Sequence, residues 1–495
     1  MVKKTLLTVL LSTLVLLLSA QSFSNIEEDV HRFTLDNGAT LLVLPRTNVP
    51  IVNCVTLVDV GAVREEPGIT GISHYLEHMA FKGTRTIGTT DYEAEKTALE
   101  ECHRIFDEIL EEREKEDKAD SDKLLRLEQE LEQAVETANQ YAVDNEFSRI
   151  LNLNGSKNLN AGTSYDLTMY TVSLPSNKLE LWMIMEADRF TYPVFRQLYP
   201  ERDVIQEEKR MYEGSPLYRF SNRFMKEAFV NNPYRTTLIG EEEDIRSLKE
   251  ADLREYFDRY YGARNLVFAV VGDVEPQNVL QLANKYFTAI PSGTKNTPVS
   301  FSEPEQREER YFSYEDLAQP YIMIGYQAPA ATHPDAPVFS VIADILGQGR
   351  SSRLHRSLVE EKNLAAYSIS YAGAPGRVYD NLFVIAAVPM QGVETTDCLD
   401  EIDRQIEIMQ REYVTLEELG GVKRRALKRS IDRLKSGLGL SIQLAYYESL
   451  FGDYTELFRE IEMIESVTRE DIMRVMQEAI VPANRTVGVL QPKER

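Results

Sequence analysis

The sequence predicts a chain of mixed α and β structure, folded as two homologous halves. Three observations carry this. Residues 248–271 (LKEADLREYFDRYYGARNLVFAVV) and 467–490 (VTREDIMRVMQEAIVPANRTVGVL) share one plan of helix, turn and buried strand. Asp252 and Asn265 are spaced as Asp471 and Asn484 are, 13 positions apart. The two halves also open alike. TLVDVGAVREEPGITGISHYLEHM and IMIGYQAPAATHPDAPVFSVIADIL each run from a strand through a Gly/Ala/Pro-rich turn into an amphipathic helix. Between the halves, PSGTKNTPVSFSEPEQREER is rich in Pro, Ser and charge and reads as a linker over 291–310. The halves are therefore placed at 27–290 and 311–495, and 495 residues are too many for one ordinary core.

Ahead of the first half, Lys3 and Lys4 precede the apolar run LLTVLLSTLVLLL and then the small residues SAQS. That is the plan of a secretory signal peptide over residues 1–20, with cleavage after Ala20. An uncleaved anchor is the alternative, but the run falls short of the roughly 18 residues of a spanning helix. No later run is long and apolar enough to span a bilayer. The mature chain is expected outside the cytoplasm, in the periplasm if the source has two membranes. Cys54, Cys102 and Cys398 are scattered and odd in number, which suits buried thiols better than a disulfide framework. A net charge of −24 argues against nucleic acid as the main partner, because phosphate binding needs clustered Lys and Arg.

Within the first half, residues 92–143 are dense in Glu, Lys and Leu. Leu99, Cys102, Ile105, Phe106 and Ile109 form one apolar stripe at helical spacing, and Leu124, Leu127, Leu131, Ala134 and Ala138 form another. Asp120, Ser121 and Asp122 supply a turn and an N-cap between them. The segment is predicted to be an antiparallel helical hairpin whose charges form a solvated face.

Only six histidines occur in the chain, and two of them fall within GISHYLEHMAFKG. On a helix, His74 and His78 lie about 40° apart around the axis, hence on one face. Glu77 flanks that face by about 60°. Paired imidazoles so placed suit a divalent metal, with the carboxylate in reach of a metal-bound water. The order His-x-x-Glu-His mirrors the His-Glu-x-x-His helix of zinc peptidases. A third protein ligand is then required. The stretch LYPERDVIQEEKRMYEG, taken as a helix starting after Pro200, offers Glu201, Glu207 and Glu208. Glu201 and Glu208, seven apart, share a face, and Glu207 points aside.

GISHYLEHMAFKGT, NLNAGTSYDLTMYTVSLP, ERDVIQEEKRM and YYGARNLVFAVVGDVEP, in that order, resemble the pitrilysin, insulin-degrading enzyme and mitochondrial processing peptidase family. The likeness runs nearly the length of the mature chain and is closest to the shorter processing-peptidase branch. It implies an α+β fold in which each half is a mixed or antiparallel sheet with helices packed on it. The halves would close as a clamshell chamber over a peptide or unfolded polypeptide. The resemblance makes His74, His78 and Glu208 the ligands of one Zn²⁺ per chain and Glu77 the general base. Glu201 becomes a carboxylate that supports the site without binding metal. NAGTSYD matches the family's edge-strand segment, so Asn160 and Ala161 are expected to pair with substrate backbone. Two chains assemble the working unit in this branch, which implies a homodimer or a heterodimer with a related chain.

Two departures stand out. From His78 to Glu208 is 130 positions, longer than the usual family interval, and the hairpin accounts for it. Active relatives often carry an arginine seven before the tyrosine here numbered Tyr367, where the pair helps hold substrate or oxyanion. This chain has Glu360 there, with Arg356 one turn earlier. The expectation is an exported zinc metallopeptidase with altered substrate binding. Two other classes compete with it. One is a non-catalytic partner subunit, although such chains have typically lost the ligands or base that are present here. The other is a peptide-binding chaperone, which would show affinity without cleavage.

Overall fold

The computed structural model describes residues 26–493, so the expected signal peptide lies outside the described residues. The first sheet contains β1 (His31–Thr34), β2 (Thr40–Pro45), β3 (Ile51–Val58), β4 (Lys157–Thr163), β5 (Thr168–Pro175) and β6 (Leu266–Gly272), in the order β1-β2-β6-β3-β5-β4. The second contains β7 (Arg310–Asp316), β8 (Tyr321–Ala328), β9 (Ala365–Ala374), β10 (Asn381–Pro389) and β11 (Arg485–Pro492), in the order β7-β11-β8-β10-β9.

These orders superimpose apart from the edge strand β1, which has no counterpart in the second sheet. In each half the last strand inserts parallel to an early one, β6 beside β2 and β11 beside β7, and the remaining pairings are antiparallel. The expected α+β architecture of two homologous halves is thus present strand by strand. The repeat at 248–271 and 467–490 supplies the helix, turn and central strand of both. β6, LVFAVVG, is buried along its whole length because both faces of the sheet are covered. Leu266, Phe268 and Val270 enter one core, while Val267, Ala269 and Val271 enter another.

The second of those cores shows that the halves are not separate units. Helix Gly437–Phe451, from the C-terminal half, lays Leu440, Leu444 and Ala445 against the outer face of the first sheet. Reciprocally, helix Pro216–Ala228, from the N-terminal half, lays Phe220, Phe224 and Ala228 against Met323, Leu382, Val384 and Leu490 of the second. Each sheet is therefore closed by a helix of the other half. At about 1.5–3 kcal/mol per buried side chain, neither sheet could leave that face in water.

The segment expected as a linker is an ordered strap that touches both halves, and β7 already begins at Arg310. Glu303 accepts the amide N–H groups of Val230, Asn231 and Asn232, each at 2.7 Å. The Thr297 carbonyl accepts from Arg64, and the Val299 amide donates to Tyr379.

The helical hairpin forms as Tyr92–Arg113 and Ser121–Asn139. Cys102, Ile105, Phe106 and Ile109 are buried, and the Asp120 carboxylate caps the second helix through the amides of Asp122 and Lys123. All three cysteines are buried and free. Among the described residues, no helix is long and apolar enough to cross a membrane.

Candidate metal centre

The helix Ile72–Met79 follows β3 through a glycine-rich turn. Its start requires Gly71, whose φ of 86° is left-handed and whose Cβ position would lie 2.4 Å from the Ile239 carbonyl oxygen. Glycine offers no capping side chain, so a carboxylate from outside the helix takes that role. Glu65 accepts the Gly71 amide at 2.7 Å and the Ser73 amide at 2.9 Å. Burial pushes the Glu65 carboxyl up to about 7, against those two N–H bonds, which pull it down. Ile72, Tyr75, Leu76 and Met79 are buried in the core, which leaves His74, Glu77 and His78 facing out.

The second helix spans Leu198–Glu213 and starts two residues before Pro200, contrary to the sequence expectation. Gln197, at φ 58°, ends the preceding segment, and Pro200 occupies the first turn, where its missing N–H would have had no helical partner. The Tyr75 hydroxyl donates to the Leu198 carbonyl and fixes one helix on the other. Tyr199, Arg202 and Ile205 are buried; Glu201 and Glu208 face the histidines, and Glu207 points to solvent beside Arg210.

Here the far-apart residues meet. One ligand atom from each of His74, His78 and Glu208 lies within 4.8 Å of the others. Glu208 Oε2 is 3.7 Å from His74 Nε2 and 3.5 Å from His78 Nε2. Ligands about 2.1 Å from a tetrahedral zinc ion lie about 3.4 Å apart, so the donor set fits such an ion. His78 Nδ1–H donates to Glu201 Oε1 at 2.8 Å, which fixes the tautomer and leaves the Nε2 lone pair toward Glu208. Glu201 Oε2 in turn pairs with Lys82 Nζ at 2.5 Å.

Electrostatics distinguish the two imidazoles. Burial, and then the proximity of His78, lowers His74 to about 4, so it is neutral near pH 7. Burial also pulls His78 down, but the Glu201 hydrogen bond and the carboxylates of Glu201, Glu77 and Glu208 outweigh it and raise the group. Burial opposes ionisation of Glu201, yet His78 and Lys82 hold it down at about 2. Glu77 is raised by burial, opposed by the Thr163 hydroxyl, which donates to its Oε2 at 2.9 Å.

Thr163 ends β4, the edge strand of the first sheet, whose only strand partner among the described residues is β5. Asn160 and Ala161 lie on it and line a cleft of about 690 Å³ together with Glu77, His78, Lys82 and Glu201. Tyr367 is elsewhere. It stands half-exposed on β9, the edge strand of the second sheet, and does not line that cleft. Glu360 is on a short helix beside His355, 3.6 Å from its Nε2. Sequence reasoning missed Glu65 and Thr163. A carboxylate nine residues before His74, ahead of a helix with no capping side chain of its own, was the available clue to Glu65.

Two family descriptions match the chain: insulinase (peptidase family M16) over residues 41–101 and 131–242, and peptidase M16 inactive domain over 247–426. The unmatched stretch between 101 and 131 falls within the helical hairpin. A zinc protease PqqE from Helicobacter pylori is 26% identical over 98% of this chain and 97% of its own length. A probable mitochondrial-processing peptidase beta subunit from Arabidopsis thaliana is 23% identical over 75% of this chain and 61% of its own. Among solved structures, a protease from Helicobacter pylori superimposes with a TM-score of 0.77 at 24% identity, covering 94% of this chain and 99% of that one. The chain belongs to peptidase family M16.

Proposed function

We propose that this protein is an exported zinc metallopeptidase that hydrolyses peptide bonds in peptides or unfolded segments. The observation that carries the reading is the convergence of His74, His78 and Glu208, with Glu77 beside them at the end of an open edge strand. When bound there, zinc would serve as a Lewis acid toward water and the scissile carbonyl. The chain's own residues perform the rest. The free edge of β4 at Asn160 and Ala161 offers backbone hydrogen bonds that hold an extended peptide without regard to its sequence. Glu77 takes a proton from the attacking water and returns it to the departing nitrogen. Its raised affinity for protons, from burial, suits a group that must hold one between those steps. Glu201 keeps His78 oriented, and Thr163 keeps Glu77 aimed along the strand end.

In this reading the C-terminal half, whose helix Ala336–Gly347 follows β8 as the metal helix follows β3, supplies no metal ligand among the described residues and closes the chamber. Tyr367 contributes to substrate binding only through such closure or through a second chain, either a copy or a related partner. Export rests on the basic and apolar N-terminus. The test is cleavage of a diverse peptide pool with and without a chelator, beside Glu77→Gln. Chelator-sensitive cleavage that disappears in Glu77→Gln supports the peptidase. Zinc binding without cleavage in the wild type supports the non-catalytic subunit instead.

A further inference from the structure

The cleft beside the histidines has a chemical character that backbone recognition does not use. Its far wall is the helix Glu146–Leu153 with the residue before it. Phe147 and Leu151 point into the core, so Asn145, Ser148 and Asn152 face the cleft. The floor is the start of β4, where the pairing with β5 is broken. The ladder runs from Thr163↔Thr168 to Asn160↔Thr171, then slips and resumes at Lys157↔Ser173. Asn158 sits at the slip with φ 53°, its side-chain Nδ2 donating to Ser173 Oγ at 3.1 Å and its backbone carbonyl accepting from Thr171 Oγ1 at 3.0 Å. Such a bulge ends a regular edge and re-aims a side chain. Here it ends the platform at Asn160 and places Lys157 in the cleft lining.

The charges in that lining are not equivalent. Glu201 is committed to His78 and Lys82, which neutralises Lys82. Glu77 is held by Thr163. Lys157 is exposed and pairs with no carboxylate among the described residues. Apart from Glu77, which the chemistry uses, the charge of the cleft left without an ion-pair partner among the described residues is therefore a cation, surrounded by asparagine amides and the hydroxyls of Ser148 and Ser156, in a chain of net charge −24.

We infer that this cleft is a specificity subsite for an acidic side chain, and that Lys157 selects Asp or Glu at one fixed position near the cleaved bond. This rests on the peptidase reading and names its substrate class as peptides carrying a carboxylate beside the scissile bond. The chain's overall negative charge opposes acidic ligands at long range. That field is screened beyond about 8 Å at physiological salt, whereas a contact pair with Lys157 acts inside that distance.

The test uses the zinc-loaded protein and a series of peptides of one extended sequence that differ only in Glu, Gln or Lys at each position in turn. Wild type is expected to favour Glu over Gln about fivefold in kcat/KM at one position, the scale of a partly exposed ion pair. Lys157→Met brings the two to parity, and Lys157→Glu favours the Lys peptide. The same peptides, fluorophore-labelled, are titrated onto the Glu77→Gln protein by anisotropy. If nothing is cleaved but the Lys157-dependent preference persists in binding, the peptidase reading fails and the subsite stands. Parity of Glu and Gln in wild type by both readouts, or an unchanged preference in Lys157→Met, overturns the inference.

Discussion

His78 is gripped from both sides: its Nδ1 lies 2.8 Å from Glu201 and its Nε2 lies 3.5 Å from Glu208. The two carboxylates sit seven residues apart on one helix, so two turns of backbone set the spacing across a single imidazole. Glu201 thus acts on the metal centre through the ring. Glu201→Gln is expected to lower zinc affinity about 10- to 100-fold while the fold persists. Competition against a chromophoric chelator, with circular dichroism as control, checks this. Unchanged affinity would remove Glu201 from the centre.

The cap on the metal helix yields a prediction about stability. Glu65→Ala strands two amides, those of Gly71 and Ser73, at a cost of about 1–3 kcal/mol for each. Urea denaturation of the metal-free protein measures it. Glu65→Asp, too short to reach both amides, should recover less than half of the loss.

The lowered His74 gives the metal-free protein a pH dependence of definite sign. Between about 6.5 and 4 the unfolded chain binds a proton at this residue and the folded chain does not, so stability falls as pH falls through that window. The effect is at most about 3 kcal/mol. Glu65, raised to about 7, contributes with the opposite sign, losing stability as pH rises from about 4.5 to 7. The informative quantity is therefore the difference between wild type and His74→Gln in urea titrations at pH 4 and 7. The variant should lose less on acidification. Equal losses would show that His74 is not held neutral.

The exchanged helices bear on cooperativity. Phe224, fully buried against the second sheet, and Leu444, fully buried against the first, each tie one half to the other. Phe224→Ala should destabilise by about 3–5 kcal/mol and Leu444→Ala by about 2–5. Unfolding should remain a single transition in both, seen together by calorimetry and circular dichroism. Two separable transitions in the wild type would mean that the halves are independent.

Much of this was legible in the chain itself. The 13-residue spacing repeated near 252 and 471 marked two halves, and the strand orders agree with it. His74, Glu77 and His78 declared one helix face by spacing alone, and the hairpin's apolar stripes marked what became its buried side. The helix exchange was not legible, because the amphipathic pattern of residues 216–228 says that one face must be covered but not by which sheet. The slip in β4 was equally hidden, since Asn158 in a left-handed conformation follows from its Ser173 and Thr171 partners, not from local propensity. Glu65 escaped notice because its role is set by a helix that begins seven residues later.

Zinc stoichiometry and affinity test the central claim most directly. Metal analysis of the purified, zinc-equilibrated protein should find one zinc per chain, and Glu208→Ala or His74→Gln should release it under the same dialysis. Wild-type protein that retains no zinc, or a Glu208→Ala protein that retains it as tightly as wild type, would contradict the account.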